Sequence, residues 1–161
     1  MAREPEDAAR DWFEKSFGVR FGSPRQLDSW GTTDGAVELA PDRWALLEVE
    51  TTQKHPCTNV LKVWPYLEEH PEQSVVLVHL FTAGARNERG NRANLGTWVA
   101  RKMTSLLGAR FTYLRLVVDS DGSVVGDLEK VRAALSPSPG NTQSMDRASG
   151  VIGWLLIAIP S

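Results

Sequence analysis

The eight residues from Ser74 to Phe81, SVVLVHLF, form an almost unbroken apolar run rich in β-branched side chains. A strand with one wet face alternates apolar and polar residues, so a continuous run suits a central strand covered on both faces. Covering both faces takes helices above and below a sheet, which places the chain in the α/β class. The next segments agree. Asn94 to Leu107 repeats apolar residues at Leu95, Trp98, Val99, Met103, Leu106 and Leu107, which predicts a helix closed by Gly108 as its C-cap. Phe111 to Val118 predicts another strand.

Upstream, residues 4 to 17 predict a helix. Pro5 suits its first turn, Glu6 and Asp7 complement the positive end of its dipole, and Gly18 ends it. Its apolar stripe is Ala9, Trp12, Phe13 and Phe17. Ala36 to Leu39 and Trp44 to Thr51 predict two strands joined by a turn over Ala40 to Arg43. Thr58 to Glu69 carries helical spacing at Val60, Leu61, Trp64 and Leu67, with Pro65 either kinking the helix or marking its first turn. After the Asp121-Gly122 turn, a short helix is expected from about Asp127 to Leu135.

These elements predict one mixed sheet with helices on both faces, in a domain spanning residues 1–135. Residues 136–150 (SPSPGNTQSMDRASG) lack periodicity and predict a flexible linker. Residues 151–161 are too apolar to stay in water, and are expected to pack on the domain or on a second copy as a homodimer. That run is about half of the roughly 20 residues a membrane helix requires, so no membrane association is expected. The single cysteine, Cys57, and the charged N-terminus MAREPEDAAR together predict a cytoplasmic protein.

A net charge of −2 gives no global attraction to nucleic acid, but the distribution is uneven. From Arg86 to Arg115 the chain holds Arg86, Arg89, Arg92, Arg101, Lys102, Arg110 and Arg115 against Glu88 alone. This segment is either a phosphate-tracking face or an ordinary solvated helix face.

The strand Trp44 to Thr51 carries the chemistry. Alternation puts Leu46, Glu48 and Glu50 on one face and Ala45, Leu47 and Val49 on the other. A hairpin turning at Pro41-Asp42 brings Asp34 beside that pair. Carboxylates crowded together raise one another's pKa, and a divalent cation removes the repulsion. Oxygen-only ligands select Mg²⁺ or Mn²⁺ over zinc.

The order helix, Asp at a strand start, turn, strand ending in acid-x-acid, helix, strand, helix, strand resembles the PD-(D/E)XK nuclease superfamily over roughly residues 4 to 119. The resemblance implies a restriction endonuclease-like αβββαβ core and metal-dependent hydrolysis of DNA. On it, Asp34 matches the first aspartate, Glu48 the (D/E), and Glu50 stands where the lysine usually is. Thr33 replaces the proline. Members that supply the lysine from the following helix point to Lys62 or Lys54 in this chain. The rival expectation is a DNA-binding or assembly module that keeps the fold without catalysis. His79 reads as a satisfied histidine near the end of a core strand.

Overall fold

The computed structural model describes residues 5–51, 55–82, 91–119 and 121–136. Lys54, Arg86, Arg89, the linker and the apolar C-terminal segment lie outside the described residues, as does most of the loop before the long helix.

Five strands form one mixed sheet in the order β1 (Gly35–Ala40), β2 (Arg43–Glu50), β3 (Ser74–Phe81), β4 (Phe111–Val118) and β5 (Val124–Val125). β1 and β2 are an antiparallel hairpin, turning through Asp42 at φ 59°. β2, β3 and β4 are parallel neighbours, and β5 returns antiparallel along the end of β4. The Ser74–Phe81 run is the middle strand, with seven of its eight residues buried.

Parallel neighbours need crossovers, and both lie on one face of the sheet. The first is α2 (Cys57–Leu61) followed by α3 (Val63–Glu69), and the second is α4 (Asn91–Leu107). Val60, Val63, Leu67, Val99 and Met103 from these helices pack on Leu46, Leu77 and Phe111. On the opposite face α1 (Pro5–Phe17) and α5 (Leu128–Leu135) bring Ala9, Phe13, Val131 and Leu135 onto Leu47, Val49, Val78 and Leu116. Each fully buried large side chain of these two layers contributes roughly 1.5–3 kcal/mol. The architecture is therefore α/β, with a five-stranded mixed sheet between helical layers.

Several departures from the sequence expectations have physical causes. The helix expected over 58–69 is two helices meeting at Lys62, and Pro65 falls in the first turn of α3, where its missing N–H costs nothing. Two consecutive strands, not three, precede the first crossover helix, and the isolated bridge between Gln26 and Thr32 is the other pairing there among the described residues. The stripe on α4 is only partly used: Val99 and Met103 are buried, whereas Leu95, Trp98 and Leu106 face solvent. A helix over one sheet face buries one narrow stripe, and the residues flanking that stripe are left out.

Two arginines fasten helix ends. The Arg110 guanidinium donates to the carbonyls of Leu67, His70 and Gln73 where α3 ends, and Arg43 donates to Ala134 O at 2.7 Å at the end of α5. Both satisfy carbonyls that a helix end leaves without a partner. Arg110 thereby serves the fold rather than a phosphate face. Among the described residues no helix is long and apolar enough to cross a membrane.

Candidate carboxylate and lysine site

The candidate site forms at the carboxyl ends of β2 and β3. Gly35 pairs with Leu47, and Asp34 N donates to Leu47 O at 3.0 Å, so Asp34 stands opposite Glu48 across the hairpin. Its carboxylate Oδ2 accepts from Val49 N at 2.7 Å. Arg10 of α1 donates to the Asp34 carbonyl, which ties the start of β1 to the first helix. Gly35 permits this approach: a Cβ there would lie 3.3 Å from Gly22 O and from Phe21 Cβ.

Glu48 and Glu50 point to the face covered by α2, α3 and α4, as strand alternation requires. Both are buried, at 1% and 2% exposure. Lys62, at the junction of α2 and α3, reaches back to them. Its Nζ stands 2.7 Å from Glu48 Oε1, while its hydrogens point to Thr32 O at 2.6 Å and Asn59 Oδ1 at 3.0 Å. The ammonium and Glu48 Oε1 form a close ion pair.

Glu50 has different company. Its Oε1 accepts from Asn59 Nδ2 at 2.7 Å and lies 2.7 Å from His79 Nε2, while its Oε2 is buried with no hydrogen-bond partner among the described residues. His79 Nδ1 is 3.0 Å from the Tyr113 hydroxyl. Burial pushes that phenol up to about 12. The network runs Tyr113, His79, Glu50, Asn59, Lys62, Glu48.

The electrostatics separate the acids. Burial pushes Glu48 up to about 8, outweighing the pull of Lys62, and Asp34 and Glu50 add repulsion. Asp34 is also raised, by burial first, against the lowering effects of Val49 N–H and Lys62; the charges of Glu6 and Glu50 add to the rise. Both acids thus respond to the charge on Glu50.

The structure gathers Asp34, Glu48, Glu50 and Lys62 at one place. It does not leave a ready ligand set: no three His, Cys, Asp or Glu side chains among the described residues are grouped to hold a metal ion. Each acid is instead occupied by a protein partner. The donor chemistry nonetheless fits a hard cation, because Glu50 Oε2 is a buried carboxylate oxygen that nothing in the described protein satisfies.

Of the basic residues expected to meet DNA, Arg92, Arg101 and Lys102 all lie exposed on α4, and Lys102 stands 5.6 Å over the Trp98 ring. His79 is the satisfied core histidine that its place in an apolar strand predicts. What the sequence reading misses is that its partner is Glu50. A signal for it exists: a parallel strand beside β2 with His79 in register with Glu48 puts the ring on the acids' face. Comparison with family models, with curated proteins and with solved structures finds no match to this chain.

Proposed function

We propose that the chain is a Mg²⁺- or Mn²⁺-dependent phosphodiesterase acting on DNA, of the PD-(D/E)XK kind. The observation that carries this reading is the meeting of Lys62 with Glu48, beside a Glu50 oxygen that is buried without a partner. A lysine from the helix after the acid-x-acid strand is one way that superfamily supplies its basic group, and Lys62, beside Glu48, would fill that role. The site also lies outside the carboxyl ends of parallel strands, where α/β proteins commonly bind ligands.

Asp34, Glu48 and Glu50 would hold the cation. When bound, it supplies charge to a phosphodiester oxygen and acidifies a water molecule. Lys62, displaced from Glu48 by that charge, would orient the water or the phosphate. Asn59 and His79 contact Glu50 Oε1, which leaves Oε2 as the oxygen that would meet the ion. Arg92, Arg101 and Lys102 on α4, with Arg86 and Arg89 before it, would meet the backbone phosphates.

The decisive experiment is cleavage of plasmid and single-stranded DNA with Mg²⁺ and with Mn²⁺. Native protein should cut, chelator should stop it, and Glu48→Ala and Lys62→Ala should each lose the activity. A native protein inactive with both metals on both substrates would leave the second reading, a non-catalytic nucleic-acid-binding or assembly module. That reading is favoured by one observation: Lys62 already neutralises Glu48 without any metal.

A further inference from the structure

A second concavity lies on the far side of β4 from β3. It measures about 620 Å³ and is bounded by α4, β4 and α5. Its wall includes Arg101, Arg115 and Lys130, with Asp127 as the one acid. The Asp127 carboxylate is engaged, accepting from Lys130 N at 2.9 Å as the N-cap of α5. The lining carries three cationic side chains and that one capped carboxylate.

The same hollow exposes backbone. β5 pairs with β4 only at Val117 and Val118, and no strand among the described residues pairs with the outer edge of β4 from Phe111 to Leu114. Thr112 lines the cavity on this edge. A ligand seated there meets cationic side chains beside a strand edge that no described strand covers. That combination suits an anion with several acceptor oxygens, and the volume is that of a small-molecule site.

We propose that this cavity binds a phosphate-bearing ligand of nucleotide size, through Arg101, Arg115 and Lys130. The site needs no metal and no cleavage, so its binding is read apart from phosphodiesterase activity, although Arg101 is also among the cations which that reading turns toward DNA. Tyr113 links the two places. Tyr113 lines the cavity and its hydroxyl bonds His79, which holds Glu50. The phosphate has two chemical sources, a free mononucleotide or the backbone of a nucleic-acid strand.

The test is calorimetry with pyrophosphate in chelator, so that failure of the metal site leaves it unaffected. Native protein should bind saturably, and more weakly as salt rises. Arg101 and Lys130 are both exposed, so Arg101→Gln/Lys130→Gln should fold normally and lose about tenfold or more in affinity. Lys15→Gln/Arg20→Gln removes two exposed cations outside the cavity and should bind as the native protein does. Competition by thymidine 5′-monophosphate and by a short single-stranded oligonucleotide then separates the two sources, the tighter competitor naming the ligand. No saturable binding at millimolar pyrophosphate, equal losses in both double variants, or competition by neither compound overturns the proposal.

Discussion

Lys62 Nζ stands 2.7 Å from Glu48 Oε1, with the lysine side chain 11% and the glutamate 2% exposed. Removing one member of such a pair leaves the other charge without its counterpart, which costs more than the pair itself contributes. Lys62→Met should therefore lower stability by about 3–5 kcal/mol above pH 8, where Glu48 is ionised. Near pH 6 the loss should be much smaller, because Glu48 then carries a proton. Urea unfolding at the two pH values reads the difference. Equal losses at both would mean that Lys62 acts through Thr32 and Asn59 rather than through Glu48.

The pH dependence of metal-free stability follows from the same acid. Glu48 is raised from 4.5 to about 8 in the folded protein. Below about 4.5 it is protonated in both states and contributes no pH dependence. Between 4.5 and about 8 the native state holds a proton that the unfolded chain has released, so stability falls as pH rises. Above about 8 this contribution levels off. Asp34, also raised, acts in the same direction from 3.8 upward. A tenfold change in proton affinity corresponds to roughly 1.4 kcal/mol, so the fall amounts to several kcal/mol at most. Glu48→Gln should flatten the profile in chelator, and a profile of unchanged slope in that variant would remove Glu48 as its source.

The legible parts of the fold were those where hydrophobic period and turn chemistry agree. SVVLVHLF and Phe111 to Val118 became strands over the bounds expected, and Gly18 and Gly108 end their helices at φ 69° and 57°. Illegible were the features that depend on how elements meet. The helix break at Lys62 places an ammonium against Glu48, and its cause is tertiary, because helical spacing runs through it. β5 is two residues long and gives no periodic signal. The acids Glu48 and Glu50 could be put on one face from alternation alone. Their separate fates, one facing Lys62 and the other facing His79 and Asn59, required the parallel register of β2 with β3.

Two glycines should respond to alanine with opposite signs. A Cβ on Gly126 would lie 2.4 Å from Leu116 Cδ2 and 3.1 Å from Arg115 O, and Leu116 is fully buried. Gly126→Ala must move a core side chain or β4 itself, at a cost of about 1–3 kcal/mol. Gly96 sits inside α4, where a Cβ would meet Cys57 Cα at 3.5 Å, an ordinary contact. Gly96→Ala should stabilise by up to about 1 kcal/mol through lower unfolded-state entropy. Thermal unfolding of the two variants checks the pair, and a stable Gly126→Ala would mean that the backbone at Gly126 does not press on Leu116.

The partly used stripe of α4 makes a sharper contrast. Met103 is fully buried and Trp98 is 56% exposed. Met103→Ala should cost about 2–5 kcal/mol, whereas Trp98→Ala, although it removes a larger side chain, should cost less than about 1. Denaturant midpoints at constant m-value give the comparison. A loss at Trp98 as large as that at Met103 would show that another surface covers it in solution.

The metal reading stands or falls on Glu50. Its Oε2 is buried without a partner among the described residues, while Oε1 accepts from Asn59 and lies 2.7 Å from His79 Nε2. A cation binding only the native state raises the melting temperature by mass action, increasingly as its concentration exceeds Kd. Native protein should therefore melt higher in Mn²⁺ than in chelator. Glu50→Gln removes the charge that the ion meets and should abolish the increase; Asp34→Asn should reduce it. Tyr113→Phe serves as the control, because it removes one hydrogen bond to His79 and leaves every acid in place. It should lower the baseline stability by about 1 kcal/mol yet keep the Mn²⁺ response. A Mn²⁺ shift of equal size in native protein and in Glu50→Gln would place any bound metal elsewhere, and the cluster would then be a buried charge network of a non-catalytic module.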